Sequence, residues 1–597
     1  MTSAAHSPGR VRRAALAVTA TMVVATVPLV AGPAQSAPAG CPTPYPIHSL
    51  AVGAPVNGLT VSSGTTPDAF SGTVQGVLED GVAPGVDLVL ADLHSTAVDR
   101  VGIWAGMSGS PVYSADGRLI GAVAYSLSFG PSTVAGITPA TEMSKLLDAA
   151  PTSTRRASRT VRVPRRMAAR IVRSGAASAA ALRRGLTPIR VPVQLSGLTA
   201  ARMAKLSKKL GLDDGRVVAG AAGPTSAERI GIQAGGNMAA SMSYGTVTSA
   251  GLGTATIVCG GQVVGFGHPM RFSGPSTMSL HGARALMVQD DPTFSGFKVA
   301  NLGAPIGRVD QDRLVGLRGI AGAPPSSVPI TSRAGEKAAR SVATTHVTQP
   351  EVLPELAFLS MHAAQDRVLD RMSKGTAVVR WSIKGLRKNG KPFELSRRDL
   401  FTDSYDVSSS PAYEVAGQVY ALQENPGETV TITSIDTTSW LRDYSDTYVV
   451  AKVQARVRGA WTTARRNRTL GLREGRSTRL KVFLTSREAA PRVMYVRVAV
   501  PKGAAGKTGS LTVAGGNNGS GAFEDEEFFD FEQSEAPSPS TLSRLLRRLE
   551  SAQHNDEIRV TLRMRGFRNG MTRTRRGSET ISRAVGGRID VRVRGLR

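Results

Sequence analysis

Six consecutive residues, Gly106-Met107-Ser108-Gly109-Ser110-Pro111, have the types and spacing that a nucleophilic serine needs. Glycines two positions before Ser108 and one after it permit a tight turn between strands. Such a turn aims the amides of Gly106 and Ser108 into one small space, where they form an oxyanion hole. Asp116-Gly117 then reads as a hairpin turn between Ser110–Tyr113 and Leu119–Val123. A plain Gly/Ser turn without chemistry fits the same residues.

A serine nucleophile needs a base, and the base needs an orienting group. Of the seven histidines after residue 37, His268 has the most telling surroundings. In Phe266-Gly267-His268-Pro269 a strand ends at Gly and Pro, which hold the ring at a turn facing a cleft. His281 and His94 are weaker candidates. For the carboxylate, Asp92 ends the run Leu88–Ala91, Asp99 lies closer to Ser108, and Asp310, the alternative to Asp92, follows His268 by about forty residues together with Asp312; the residues alone do not choose among the four. Each of these residues also fits an ordinary surface or turn position.

The elements that must position these groups are short strands. Residues 1–37 come first: Arg10, Arg12 and Arg13, an apolar stretch to Ala31, then Ala34-Gln35-Ser36-Ala37. This is the pattern of an export signal, so a secreted or envelope-associated location is expected. Residues 45–150 hold the serine and read as alternating or β-branched runs, with a short helix over 139–147. Thr133–Thr138 is a strand that could pair with an extended substrate. Residues 151–190 carry eleven arginines and no acid; they read as a connector, helical over part of 165–184. Residues 191–335 hold His268 and return to strands, the clearest being 245–248, 255–258 and 262–266. Residues 336–520 contain runs such as Thr376–Ile383, Tyr448–Val453 and Val493–Val500, which suggest β-sandwich-like modules. An acidic, Pro-containing loop over 521–541 precedes a short helix and strands over 542–597. The expected fold class is mainly β.

The Gly106–Tyr113 and Asp116–Ala122 stretches resemble the nucleophile segment of SpoIVB-type serine peptidases. Phe266–Pro269 resembles that family's catalytic-histidine segment. Ile306–Arg313, with Gly316 and Gly319, resembles the Gly-rich strand pair that follows it. The resemblance spans about 45–335. It implies a trypsin-like double β-barrel, Ser108 as nucleophile, His268 as general base, and Asp92 nearest to the family's carboxylate. One departure is plain: the serine half precedes the histidine half here.

Composition bounds the alternatives. With 41% hydrophobic residues the chain can bury sizeable cores. Two cysteines, Cys41 and Cys259, exclude a disulfide-rich scaffold, and no zinc-like ligand spacing exists. Neither metal nor cofactor is expected. The formal net charge of +28 fits solvated surface or an anionic cell-envelope partner. No nucleic-acid-reading motif is present. The expected partner is a polypeptide substrate, with a catalytically inert envelope-binding relative as the alternative; oligomeric state is not readable.

Overall fold

The computed structural model describes residues 40–128, 130–148, 160–199, 202–203, 217–219, 228–291, 296–465, 468–517, 540–567 and 570–597. The expected export signal over 1–37, most of the expected 521–541 loop and the start of the arginine-rich connector lie outside the described residues. The protein is mainly β, and its strands begin with β1 (Pro55–Thr60), β2 (Asp68–Ala83), β3 (Val86–His94), β4 (Pro111–Ser114), β5 (Leu119–Leu127), β6 (Val134–Pro139) and β7 (Leu186–Pro188). They form one sheet in the order β4-β1-β2-β3-β6-β5-β7, and a β4–β5 pairing closes six of them into a barrel. Helix α1 (Thr96–Val101) leads into the Ser108 turn, and α2 (Ala140–Met143) follows β6. The expected hairpin at Asp116-Gly117 is present: Pro111 pairs with Ala122 and Val112 with Gly121.

Within 160–190 the chain forms α3 (Arg165–Arg173) and α4 (Ala179–Arg184). Their apolar sides are not wasted on solvent: Met167, Ile171 and Leu182 are buried in the core of the first barrel. The later part of this connector is therefore packed structure rather than an exposed linker.

Next come β8 (Val193–Leu195), β9 (Val217–Ala219), β10 (Asn237–Gly245), β11 (Ser249–Cys259), β12 (Gln262–Gly265), β13 (Gly274–Gln289), β14 (Phe297–Arg313) and β15 (Gly316–Ala321). The path β10-β13-β14-β15-β12-β11 is closed by a β10–β11 pairing, which makes a second ring of six strands. Residues 246–248, expected in a strand, are instead the turn between β10 and β11. Gly245 begins it at φ +105°, a conformation open to glycine.

The sheet does not end with this ring. It continues through β16 (Val328–Glu336), β17 (Ala339–Val347), β18 (Gly375–Arg387), β19 (Pro392–Asp403) and β20 (Val430–Arg442), reaching thirteen strands. Strands before and after residue 336 thus share one sheet. Helices α5 (Leu353–Leu369) and α6 (Ser409–Gln423) cover one face and share a core with Ile330, Val379, Trp381 and Ile383. The layer is helix on sheet, not sheet on sheet. Arg202 anchors it: fully buried, it donates to Asp366 of α5 (2.8 and 3.0 Å) and to Asp406 just before α6.

The remaining strands are β21 (Thr447–Val457), β22 (Ala460–Thr463), β23 (Leu470–Arg473), β24 (Ser477–Thr485), β25 (Arg492–Ala499), β26 (Thr508–Gly515), β27 (Glu557–Met564), β28 (Arg573–Thr580), β29 (Ala584–Gly586) and β30 (Arg588–Leu596). They make two five-stranded sheets, β22-β21-β24-β25 with β29 on β21, and β23-β30-β26-β27-β28. One hydrophobic core, including Val453, Leu480, Val513, Leu562 and Val593, lies between them. Helix α7 (Leu542–Glu550) precedes β27 and packs Leu542 and Leu545 into the helix-covered layer.

Cys41 and Cys259, 218 residues apart, are joined by a disulfide. It staples the segment before β1 to the end of β11. Among the described residues no helix is long and apolar enough to cross a membrane.

Candidate functional site

The Ser108 turn belongs to the first barrel but is held by the second. Thr254 of β11 donates its amide to the Ser108 carbonyl at 2.8 Å and its hydroxyl to the Gly106 carbonyl at 3.1 Å. The Thr256 hydroxyl donates to the Gly109 carbonyl at 2.7 Å. Lys298 of β14 donates its amide to the Ala105 carbonyl at 2.9 Å. Three carbonyls of the turn and the one before it thus point at the second barrel. Gly106 and Gly109, at φ +97° and +99°, make this reversal without the steric penalty of a Cβ.

The amides of the turn divide into two groups. Those of Met107, Gly109 and Ser110 donate to Trp104, Val123 and Met107 carbonyls. Those of Gly106 and Ser108 have no acceptor among the described residues. These are the two donors expected for an oxyanion hole. The neighbouring Ser110 is structural: its Oγ lies 2.7 Å from the Met107 carbonyl and 2.8 Å from Thr60 Oγ1.

His268 follows β12, as its Gly/Pro surroundings lead one to expect. Phe266 sits at φ +68°, uncommon for a bulky residue, and is completely buried. It is held there by its amide, which donates to the Thr254 carbonyl at 3.2 Å, and Gly267 accepts 2.7 Å from the Thr138 hydroxyl of β6. Thr254 therefore bonds both functional segments, one through N–H and the other through C=O. The histidine loop belongs to the second barrel yet is tied back to the first.

Ser108 and His268 are 0% and 1% exposed. Among the described residues neither Ser108 Oγ nor His268 Nε2 has a hydrogen-bond partner, so the two are not bonded to each other. Buried polar atoms without partners are rare and call for a reason. His268 Nδ1 donates 2.9 Å to the Pro269 carbonyl, which fixes the tautomer with its lone pair on Nε2. Burial pushes the His268 pKa down, against the Pro269 carbonyl and the negative charge of Asp312, which pull it up. The ring is neutral at neutral pH and able to accept a proton.

Neither chosen carboxylate contacts this ring. Asp92, on β3, faces His94, whose Nε2 lies 3.4 Å from its Oδ1; His94 Nδ1 is 2.7 Å from Asp99. His94 and Asp99 are half-exposed while Asp92 is buried, and the cluster raises the His94 pKa, chiefly through the Asp99 hydrogen bond. Asp310 forms a two-point pair with Arg318 (2.8 and 2.9 Å), and Arg318 also donates to the Leu146 and Asp148 carbonyls. Asp310 thus ties β14 and β15 to the end of the serine half. The group on His268 Nδ1 is the Pro269 carbonyl, and Asp92 and Asp310 make the contacts just given. Asp312 is fully buried and receives the amides of Met270 (2.9 Å) and Arg271 (2.8 Å), the two residues after Pro269. His281 is remote from this arrangement in its bonds: it joins Ser241 Oγ at 2.8 Å and the Gly303 carbonyl at 2.9 Å inside the second barrel.

Sequence reasoning missed two residues here. Thr254 lies in a strand and carries no motif. Lys298 is fully buried with Nζ on Asn237 Oδ1 at 2.9 Å, and burial pushes its pKa down to about 7. Its Cβ would stand 2.9 Å from any Cβ at position 106, so it walls the turn. The substrate-strand expectation also changes: β6 is paired on both sides, with β3 and with β5, and offers no free edge.

Compared with known proteins, the chain matches no family model, no curated protein and no solved structure.

Proposed function

We propose that this chain is an exported serine endopeptidase of the SpoIVB type, with trypsin-like barrels that bring nucleophile and base to one seam. The observation that carries this reading is the pair of buried, unpartnered atoms Ser108 Oγ and His268 Nε2, on segments both bonded to Thr254. Two acceptor-less amides beside the serine support it. In the reaction, His268 Nε2 takes the Ser108 proton as Oγ attacks a peptide carbonyl. The Gly106 and Ser108 amides receive the oxyanion; one such donor is worth about 10²–10³-fold in rate. The Pro269 carbonyl and the charge of Asp312 stabilise the imidazolium. His268 then protonates the leaving amine, and water releases the acyl group. Because both groups are buried, substrate enters only after the seam between the barrels opens, and the Oγ–Nε2 bond forms on closure.

A second reading, a catalytically inert relative, draws on the same burial and on the missing Oγ–Nε2 bond. Labelling with a fluorophosphonate probe and mapping of the modified residue separates the two. The peptidase reading expects Ser108 to be labelled, and the label to vanish in Ser108→Ala and His268→Ala. Well-folded protein that stays unlabelled, with or without added peptide substrates, would leave the inert reading standing.

A further inference from the structure

The net charge is not spread evenly. Residues 447–517 and 540–597 hold thirty Lys and Arg against seven Asp and Glu. Most of the +28 therefore lies in the two C-terminal sheets. Strand alternation then sorts it by face. In β30, Val591 and Val593 point into the core while Arg592 and Arg594 are exposed. In β27, Leu562 and Met564 point inward while Arg563 is exposed, as is Arg565 just beyond.

Register places these arginines in two rows across β26. Ser510 pairs with Arg563 on one side and Arg592 on the other. Thr508 pairs with Arg594 and accepts the Arg565 amide at 2.9 Å. Each row therefore reads arginine, hydroxyl, arginine. The rows are two residues apart along the strands, roughly 7 Å, and the arginines within a row are two strands apart, roughly 10 Å. Arg473 of β23 extends the pattern at one edge and Arg576 of β28 at the other. Among the described residues none of these six arginines has an acidic partner, whereas Arg559 and Arg588 on the same sheet are paired with Glu557 and Asp590.

We propose that this outward face of the β23-β30-β26-β27-β28 sheet binds a linear, base-free phosphodiester polymer. Guanidinium forks match phosphate oxygens two at a time, and Ser510 and Thr508 add a hydroxyl to the middle of each row. The roughly 7 Å row spacing suits an extended chain carrying one charge per short repeat. Among the described residues its strands carry no large exposed apolar side chain to enter a bilayer; exposed Met571 lies in the turn before β28, and Trp461, Tyr495 and Val493 belong to the other sheet. It also has no aromatic ring on which bases would stack, the usual platform for single-stranded nucleic acid. On the other sheet Arg479 is stacked 4.0 Å over Tyr495 and Lys481 lies 5.0 Å over Phe483.

The test uses the full chain and poly(glycerol phosphate), with binding measured by titration calorimetry across a salt series. If four phosphates are engaged, affinity should fall roughly fifty-fold between 50 and 200 mM salt. Replacing Arg563, Arg565, Arg592 and Arg594 together by Gln should weaken binding at least tenfold, with an unchanged thermal transition. Arg479→Gln with Lys481→Gln on the other sheet removes charge but should change affinity less than twofold. Losses that scale with the number of charges removed, four in one set and two in the other, would mean that only total charge matters, and would overturn the site. Tighter binding to phosphatidylglycerol vesicles, or to single-stranded oligothymidylate at equal phosphate, would overturn the polymer. Binding that emerges only after Glu524, Asp525, Glu526 and Glu527 are neutralised would make the chain's own acidic run the resident occupant and overturn it too.

Discussion

Replacing Gly109 by alanine tests whether the serine turn is wedged against the second barrel. Gly109 has φ +99°, where an L side chain is strained by about 1–2 kcal/mol. A Cβ there would also lie 1.8 Å from the Thr254 carbonyl oxygen and 2.5 Å from the Phe266 amide nitrogen. Both neighbours are backbone of the segments that hold Ser108 and His268, so neither can swing aside as a side chain would. Relief requires the turn to withdraw by an ångström or more, adding an overpacking cost of about 1–3 kcal/mol. Gly117 provides the comparison: it has φ +80° and open space around its missing Cβ. Gly117→Ala should therefore show the strain alone, about 1–2 kcal/mol in denaturant unfolding. Gly109→Ala should lose clearly more, about 2–5 kcal/mol when both contributions add. Its fluorophosphonate labelling should slow by about 10²-fold, the penalty typical of an ångström of misplacement, while Gly117→Ala labels normally. Equal unfolding curves for the two variants would refute the wedge, whatever the chemistry.

Three further outcomes follow from buried groups and the disulfide. Arg202→Met leaves Asp366 and Asp406 buried without their cation and should cost about 3–5 kcal/mol in unfolding; adding Asp366→Leu and Asp406→Leu should recover much of it. Burial lowers the His281 pKa to about 4, so the unfolded chain binds the extra proton first. Stability from this group is fully present above about pH 6.5 and is lost as pH falls toward 4, by about 3 kcal/mol. His281→Gln should flatten that slope in unfolding curves taken across this range. Reduction of Cys41–Cys259, which closes a loop of 218 residues, should lower stability by up to about 5 kcal/mol on the chain-entropy model, seen as a shift in urea midpoint with reductant.

What could be read in the sequence was what neighbouring residues decide. The turn at Asp116-Gly117, the strand end at His268, and the helices near 140, 165–184 and 542 all rest on local signals, and each is present. Helices α5 and α6 escaped for a physical reason. Fifteen of the seventeen α5 residues are buried, so the helix has no polar face and shows no 3.6-residue alternation. The group opposite the His268 ring escaped for another. Asp92, Asp310 and Asp312 are equally plausible as isolated letters, and only the register of β14 against β15 gives Asp310 to Arg318. The basic face had no contiguous signature because its arginines come from four strands spread between residues 473 and 594.

The disulfide also sets the covalent topology of the molecule. Cys41 and Cys259 bracket the whole serine-bearing barrel and the connector with its eleven arginines. A single backbone cut anywhere in 151–190 would therefore release no fragment. It would convert one chain into two, still linked by sulfur, with the Ser108 turn on the lighter chain and His268 on the heavier. On a gel such a nicked molecule would migrate as one species until reductant is added. Its seam would still be held by Thr254 and Thr256, so trimming of the connector and survival of the site are separable events.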